Sequence, residues 1–154
     1  MPQNFSEITY IIGTPEIVEQ MQKVSCLPPF SDKVIDFLNA LSSKLLKAGK
    51  AYSDVVTFAF WCRKAALLKE KEFYNCGELR LGRGIAFHST PSNVAVNFAF
   101  SFAAGLLAGN PNIIRLPAKA FEQVNIICEA INDILSEMPE LKPYVVMVKF
   151  PTVR

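Results

Sequence analysis

Apolar positions between residues 31 and 48 recur at helical spacing. Val34, Phe37, Leu38, Leu41 and Leu45 fall on one stripe at i, i+3, i+4, i+7 and beyond, which predicts an amphipathic helix. Ser31 or Asp32 suits its cap and Gly49 its stop. Residues 53–73 predict a second helix, whose wide aromatic face VVTFAFW, with Val56, Ala59, Phe60, Arg63 and Leu67 along its length, is expected to pack on the first helix and on a sheet. Upstream, the β-branched run ITYII at residues 8–12 predicts a strand ended by Gly13. Thr14 and Pro15 then read as the cap and first turn of a short helix reaching about Lys23. The linker CLPPF at residues 26–30 carries two prolines, which do not fit a helix interior.

The pattern then changes. Between Arg83 and Arg115 there is no charged residue. Residues 84–89 form a short apolar run, residues 90–93 a polar turn, residues 94–108 a helix-length apolar segment, and residues 112–116 a second run after a Gly-Asn-Pro breaker. Residues 121–138 predict a helix buried along Val124, Ile127, Cys128, Ile131, Leu135 and Met138, and residues 144–150 (YVVMVKF) a third, nearly continuous apolar strand. The order is βαβαβ, one half of a dinucleotide-binding fold with right-handed crossovers. The expected fold class is therefore α/β: an incomplete parallel sheet over residues 77–154, preceded by a helical lead-in over residues 1–76 that packs on the sheet.

Composition narrows the function classes. A chain of 154 residues, 51% hydrophobic and 19% charged, fits one globular domain. A net charge of +2 gives no electrostatic case for a nucleic-acid partner. Residues 94–108, interrupted by Asn97 and Ser101, fall short of the ~20 apolar residues of a membrane span. The start of the chain has neither a basic nor an apolar targeting region, so a cytoplasmic location is expected. Cys26, Cys62, Cys76 and Cys128 show no metal-ligand spacing and read as reduced and structural, and the single His88 argues against a metal site.

Candidate chemistry collects in His88-Ser89-Thr90-Pro91-Ser92-Asn93. Hydroxyl, amide and imidazole groups cluster there at a strand end before a helix N-terminus, where unpaired N–H groups and the helix dipole favour an anion or a developing oxyanion. A plain capping role for Ser92 or Asn93 explains the same residues equally well. Gly82-Arg83-Gly84 is a weak phosphate-loop signal and reads better as a turn.

Thr90-Pro91-Ser92-Asn93, then Gly109-Asn110 seventeen residues past Ser92, then Ile113-Ile114-Arg115, resemble the aldehyde dehydrogenase superfamily. The segments PPFSDKVIDFLNALSSKLL, FAFWCRKA and GLLAGNPNIIRLPAK resemble its acyl-CoA reductase branch, which includes the reductase of bacterial luminescence systems. The resemblance implies an aldehyde-dehydrogenase-like fold and an NADPH-dependent reduction of an acyl-CoA or acyl-protein thioester to a fatty aldehyde. In that family a cysteine thiolate takes the acyl group before hydride transfer. Asn93 matches the asparagine that supports the oxyanion, and Thr90, Pro91 and Ser92 match the turn facing the dinucleotide. Arg115 matches a position often held by a ribose-contacting lysine, and Lys119 adds a second cation nearby. The position three residues after Arg115, where the superfamily often places an acid, is Ala118.

None of the four cysteines sits in the context of the family's nucleophile. Cys62 lies beside Arg63, which favours a thiolate, yet its apolar helix face favours a structural role. Catalysis by this chain alone is therefore not expected, and the chain reads as a fragment, a truncated product or one piece of a split enzyme or homo-oligomer. The competing reading is a non-catalytic interaction module that keeps a nucleotide-binding scaffold.

Overall fold

The computed structural model describes residues 8–74 and 77–151. One four-stranded sheet is formed from β1 (Thr9–Ile12), β2 (Ala86–Ser89), β3 (Asn112–Arg115) and β4 (Val145–Lys149). The spatial order is β1-β4-β3-β2. As expected, β2, β3 and β4 are parallel neighbours, with Ser89 opposite Arg115 and Arg115 opposite Val148. The sheet is not purely parallel, however. The strand anticipated near residues 8–12 joins its edge antiparallel to β4, through Thr9 opposite Lys149. It makes the sheet mixed because an edge strand has one free side and needs no crossover to enter.

The helices are α1 (Pro15–Met21), α2 (Asp32–Ala48), α3 (Ser53–Trp61), α4 (Lys64–Tyr74), α5 (Asn97–Leu107) and α6 (Glu122–Glu137). Thr14 caps α1 by accepting from the Ile17 N–H at 3.3 Å, and Pro15 occupies its first turn. All five stripe residues of α2 are buried, and Asp32 and Lys47 lie at the ends where the helix dipole favours them. Ser42 Oγ donates to Ala59 O at 2.6 Å and ties α2 to α3.

One expected helix over residues 53–73 is two. Asn39 of α2 accepts the Lys64 N–H at 2.8 Å, and Asp36 of α2 holds the Lys64 ammonium at 3.1 Å. A side chain from another helix thus satisfies a backbone donor at a new helix start, which periodicity along residues 53–73 does not reveal. The break turns Leu67 into the core, while Phe60, counted with the packing face, is 46% exposed and lies under the Arg63 guanidinium. Tyr144 ends a 3-10 turn, Pro139–Tyr144, instead of opening the third strand.

Both crossover helices lie on one face of the sheet. His88 of β2 meets Ser101 of α5 there, and Met147 of β4, in register with Ile114 and His88, meets Cys128 of α6. α2 packs across α5 and α6. On the opposite face, Met21 of α1 is buried with Val146 and Val148, with Ile113 packed against them. Phe87 of β2, on that face, is 57% exposed.

Candidate functional site

Residues 90–96 link β2 to α5 at the carboxyl end of the parallel strands. Ser92 and Asn93 form a turn, and both are exposed. The helix anticipated over residues 94–108 starts only at Asn97, with Val96 at its N-cap, φ −111° and ψ −7°. Neither Ser92 nor Asn93 therefore caps it, and no side-chain hydrogen bond from either is present among the described residues. The first N–H groups of α5 consequently lack a side-chain acceptor. Thr90 Oγ1 is buried without a hydrogen-bond partner. The Ala99 N–H donates to Val96 O at 3.0 Å, and a helix start without a side-chain cap suits an anionic group.

Arg115 ends β3 directly beside Ser89 of β2 and is exposed, so the register carries its charge to the same end of the sheet as the turn. Its guanidinium lies 5.6 Å from the Phe150 ring centre. Lys119 follows in an exposed loop, with its ammonium 5.1 Å from the Phe121 ring centre. Both cations are held over aromatic faces and have no ion-pair partner among the described residues.

His88 points away from this turn. Its Nδ1 is 2.6 Å from Ser101 Oγ and its Nε2 is 2.9 Å from Asn112 Oδ1. Asn112 is fully buried, and its amide donates to Asn110 O at 2.7 Å. Gly105 lies against this group: a Cβ there would come within 2.1 Å of Asn112 Oδ1 and 2.9 Å of the imidazole. Ser101, Gly105 and Asn112 hold the strand that ends at the turn, and sequence reasoning did not single them out. A signal was present, since Asn97, Ser101 and Gly105 recur every four residues along an otherwise apolar helix.

Gly82 and Gly109 mark a second close backbone approach. Leu27 N–H donates to Gly109 O at 2.9 Å, and Gly82 N–H donates to Leu27 O at 3.0 Å. A Cβ on Gly109, which has φ +90°, would meet Leu27 O. Asn110 Oδ1 accepts from the Arg83 N–H at 2.6 Å. Gly82-Arg83-Gly84 therefore serves as packing and turn at the amino end of β2, far from the carboxyl-end turn.

Cys62 and Cys128 are buried, and burial pushes both thiols up, Cys128 to about 12. Arg63 does not offset that cost, because its guanidinium is turned to Phe60, where Nε donates to Phe60 O at 3.2 Å. Cys26 is half-buried, and Cys76 lies outside the described residues. No helix among the described residues is long and apolar enough to cross a membrane, and none of their His, Cys, Asp and Glu side chains form a group that could hold a metal.

Residues 63–153 match the family model of acyl-CoA reductase (LuxC). The match takes in the turn at residues 90–93, α5, Arg115 and the three parallel strands. The chain matches no curated protein and no solved structure.

Proposed function

The chain belongs to the acyl-CoA reductase (LuxC) family, and from that membership we propose that it forms the amino-terminal part of an NADPH-dependent reductase of long-chain acyl thioesters, carried on coenzyme A or on a protein, to fatty aldehydes. The family match over residues 63–153 is the observation that carries this reading. The parallel order β2-β3-β4, with both crossovers on one face, supports an aldehyde-dehydrogenase-like half of a doubly wound fold.

In this reading the turn at Thr90, Pro91 and Ser92 meets the dinucleotide. The start of α5, which has no side-chain cap, and the unpartnered Thr90 hydroxyl suit its phosphates. Arg115 and Lys119 hold the charge at the adenosine end. When bound, NADPH supplies hydride. Asn93, exposed in the turn, would offer its amide to the oxygen on which negative charge develops. A preplaced donor of that kind typically stabilises the transition state by about 3–4 kcal/mol.

The buried, neutral thiols of Cys62 and Cys128 support a further element, that the nucleophile is not one of them and that the 154-residue chain does not reduce acyl-CoA unaided. The test has two arms. In a reductase containing this chain, Asn93→Ala should lower kcat by roughly 10²–10³ with NADPH affinity unchanged; an undiminished kcat overturns the role. The purified chain with acyl-CoA and NADPH should show no cofactor oxidation; steady oxidation abolished by Cys26→Ala overturns the inactivity.

A further inference from the structure

A cavity of about 410 Å³ opens between α3, α4, the C-terminal end of α5 and the segment before β2. It lies at the amino end of the sheet. The strand Ala86–Ser89, about 10 Å of rise, separates it from the turn at residues 90–93. Its walls are mostly apolar: Phe30, Trp61, Leu67, Tyr74, Leu81 and Leu107. Ala104 of α5 and Ala108, which caps its end one turn later, are both exposed and leave one side of it unfilled.

Three features separate this cavity from a packing gap. Its volume falls in the range of small-molecule sites, about 300–1,000 Å³. Phe30 holds the left-handed conformation, φ 53°, pinned by its N–H on Leu107 O at 2.7 Å, and so sets its ring 5.3 Å from that of Tyr74. A bulky residue adopts that region at a cost, and such strain gathers at ligand clamps. Finally, the rim is charged. Arg80 is paired with Glu78 at 3.1 Å, whereas Arg83 has no ion-pair partner among the described residues. Among the described residues of the lining, Glu70 is the one carboxylate, against two guanidiniums.

We propose that this cavity binds a fatty acid, its unbranched chain along the Trp61–Leu67–Leu107 wall and its carboxylate at Arg83. The site is separate from the turn at residues 90–93 and does not depend on the cofactor reading. An apolar wall favours an alkyl chain by area removed from water, and a guanidinium bonds a carboxylate with two parallel N–H donors. The cavity's walls come from four separate elements, so occupancy would also bind α4 to α5.

The single tryptophan, Trp61, lines the cavity and reports on it directly. Titration of the purified chain with dodecanoate should change Trp61 emission saturably. Ala104→Phe should abolish the change by filling the cavity, and Leu81→Asp should abolish it from the exposed wall. Circular dichroism shows which variants are folded, and either folded variant decides the matter. Arg83→Ala should weaken dodecanoate roughly tenfold and leave dodecanol unchanged. The proposal fails if emission does not saturate, if a folded cavity variant binds as the parent does, or if Arg83→Ala affects acid and alcohol alike. It also fails if the emission change follows protein concentration without ligand, since a second copy of the chain then occupies the cavity.

Discussion

The Nε2 of His88 donates to Oδ1 of Asn112 across 2.9 Å, between neighbouring strands and beneath α5. The Asn112 amide donates to Asn110 O at 2.7 Å and Tyr144 O at 3.4 Å, so its Oδ1 is left to accept. This places the imidazole proton on Nε2 and leaves Nδ1 to accept from the Ser101 hydroxyl at 2.6 Å. The group links β2, β3, α5 and the turn before β4, and so fixes the strand that ends at the candidate site. Asn112→Leu removes every side-chain bond of a fully buried residue and orphans a ring N–H and two carbonyls. We expect a loss of about 2–4 kcal/mol in urea unfolding. A variant as stable as the parent would show that the network is not structural.

Gly105 gives a sharper test, because helix propensity and packing oppose each other. In an open helix Gly→Ala stabilises by about 1 kcal/mol. Here the added Cβ would stand 2.1 Å from Asn112 Oδ1 and 2.9 Å from the His88 ring, both held by hydrogen bonds. Overpacking of that kind typically costs about 1–3 kcal/mol. Gly105→Ala should therefore lower the melting temperature, and a raised melting temperature would refute the close approach.

Much of this arrangement is legible in the chain. The α2 stripe, the Thr14 cap and the parallel order of β2, β3 and β4 follow from local spacing and from apolar runs between breakers. What escaped depends on contacts distant in sequence. The break at Cys62–Arg63 needs Asn39, 25 residues before the Lys64 N–H that it accepts. Likewise, the antiparallel entry of β1 needs the free edge of β4. At the site, the hydroxyl and amide cluster was readable, but His88 was grouped with the turn although its side chain faces α5, as strand alternation allows. Val94, Ala95 and Val96 also count as helical by hydropathy alone, so the late start of α5 was hidden.

Burial of Cys62 and Cys128 predicts a pH dependence. Cys128 moves from an ordinary 9.0 to about 12, chiefly by desolvation, and the Cys62 thiol moves in the same direction for the same reason. The folded state therefore holds neutral thiols where the unfolded chain has thiolates. Their contribution is fully present below pH 9 and is lost as pH rises from there toward the folded value. The slope is about 1.4 kcal/mol per pH unit for each thiol, as an order of magnitude. Urea midpoints measured from pH 8 to pH 11 should fall less steeply in Cys128→Ala than in the parent. Parallel profiles would mean that the thiol ionises freely in the fold. Iodoacetamide at pH 8 should likewise spare Cys62 and Cys128 until urea is added.

Cofactor preference rests on the charge at the end of β3. Sites that prefer NADH place a carboxylate on the ribose 2′-hydroxyl, where it repels a 2′-phosphate. No acid follows Arg115 until Glu122, and the Glu122 carboxylate accepts from Asn125 at 3.3 Å within α6. Arg115 is exposed beside Ser89, and a guanidinium grips a phosphate with two bonds. Its position over Phe150 restricts the side chain without neutralising it. NADPH should therefore bind more tightly than NADH. Arg115→Ala should weaken NADPH by roughly tenfold or more while changing NADH little, and Lys119→Ala should act in the same direction with a smaller effect. Titration of both cofactors against the parent and the two variants measures this. Equal losses for NADH and NADPH in Arg115→Ala would move the arginine from the 2′-phosphate to a part common to both cofactors, and a parent that prefers NADH would remove the charge argument altogether.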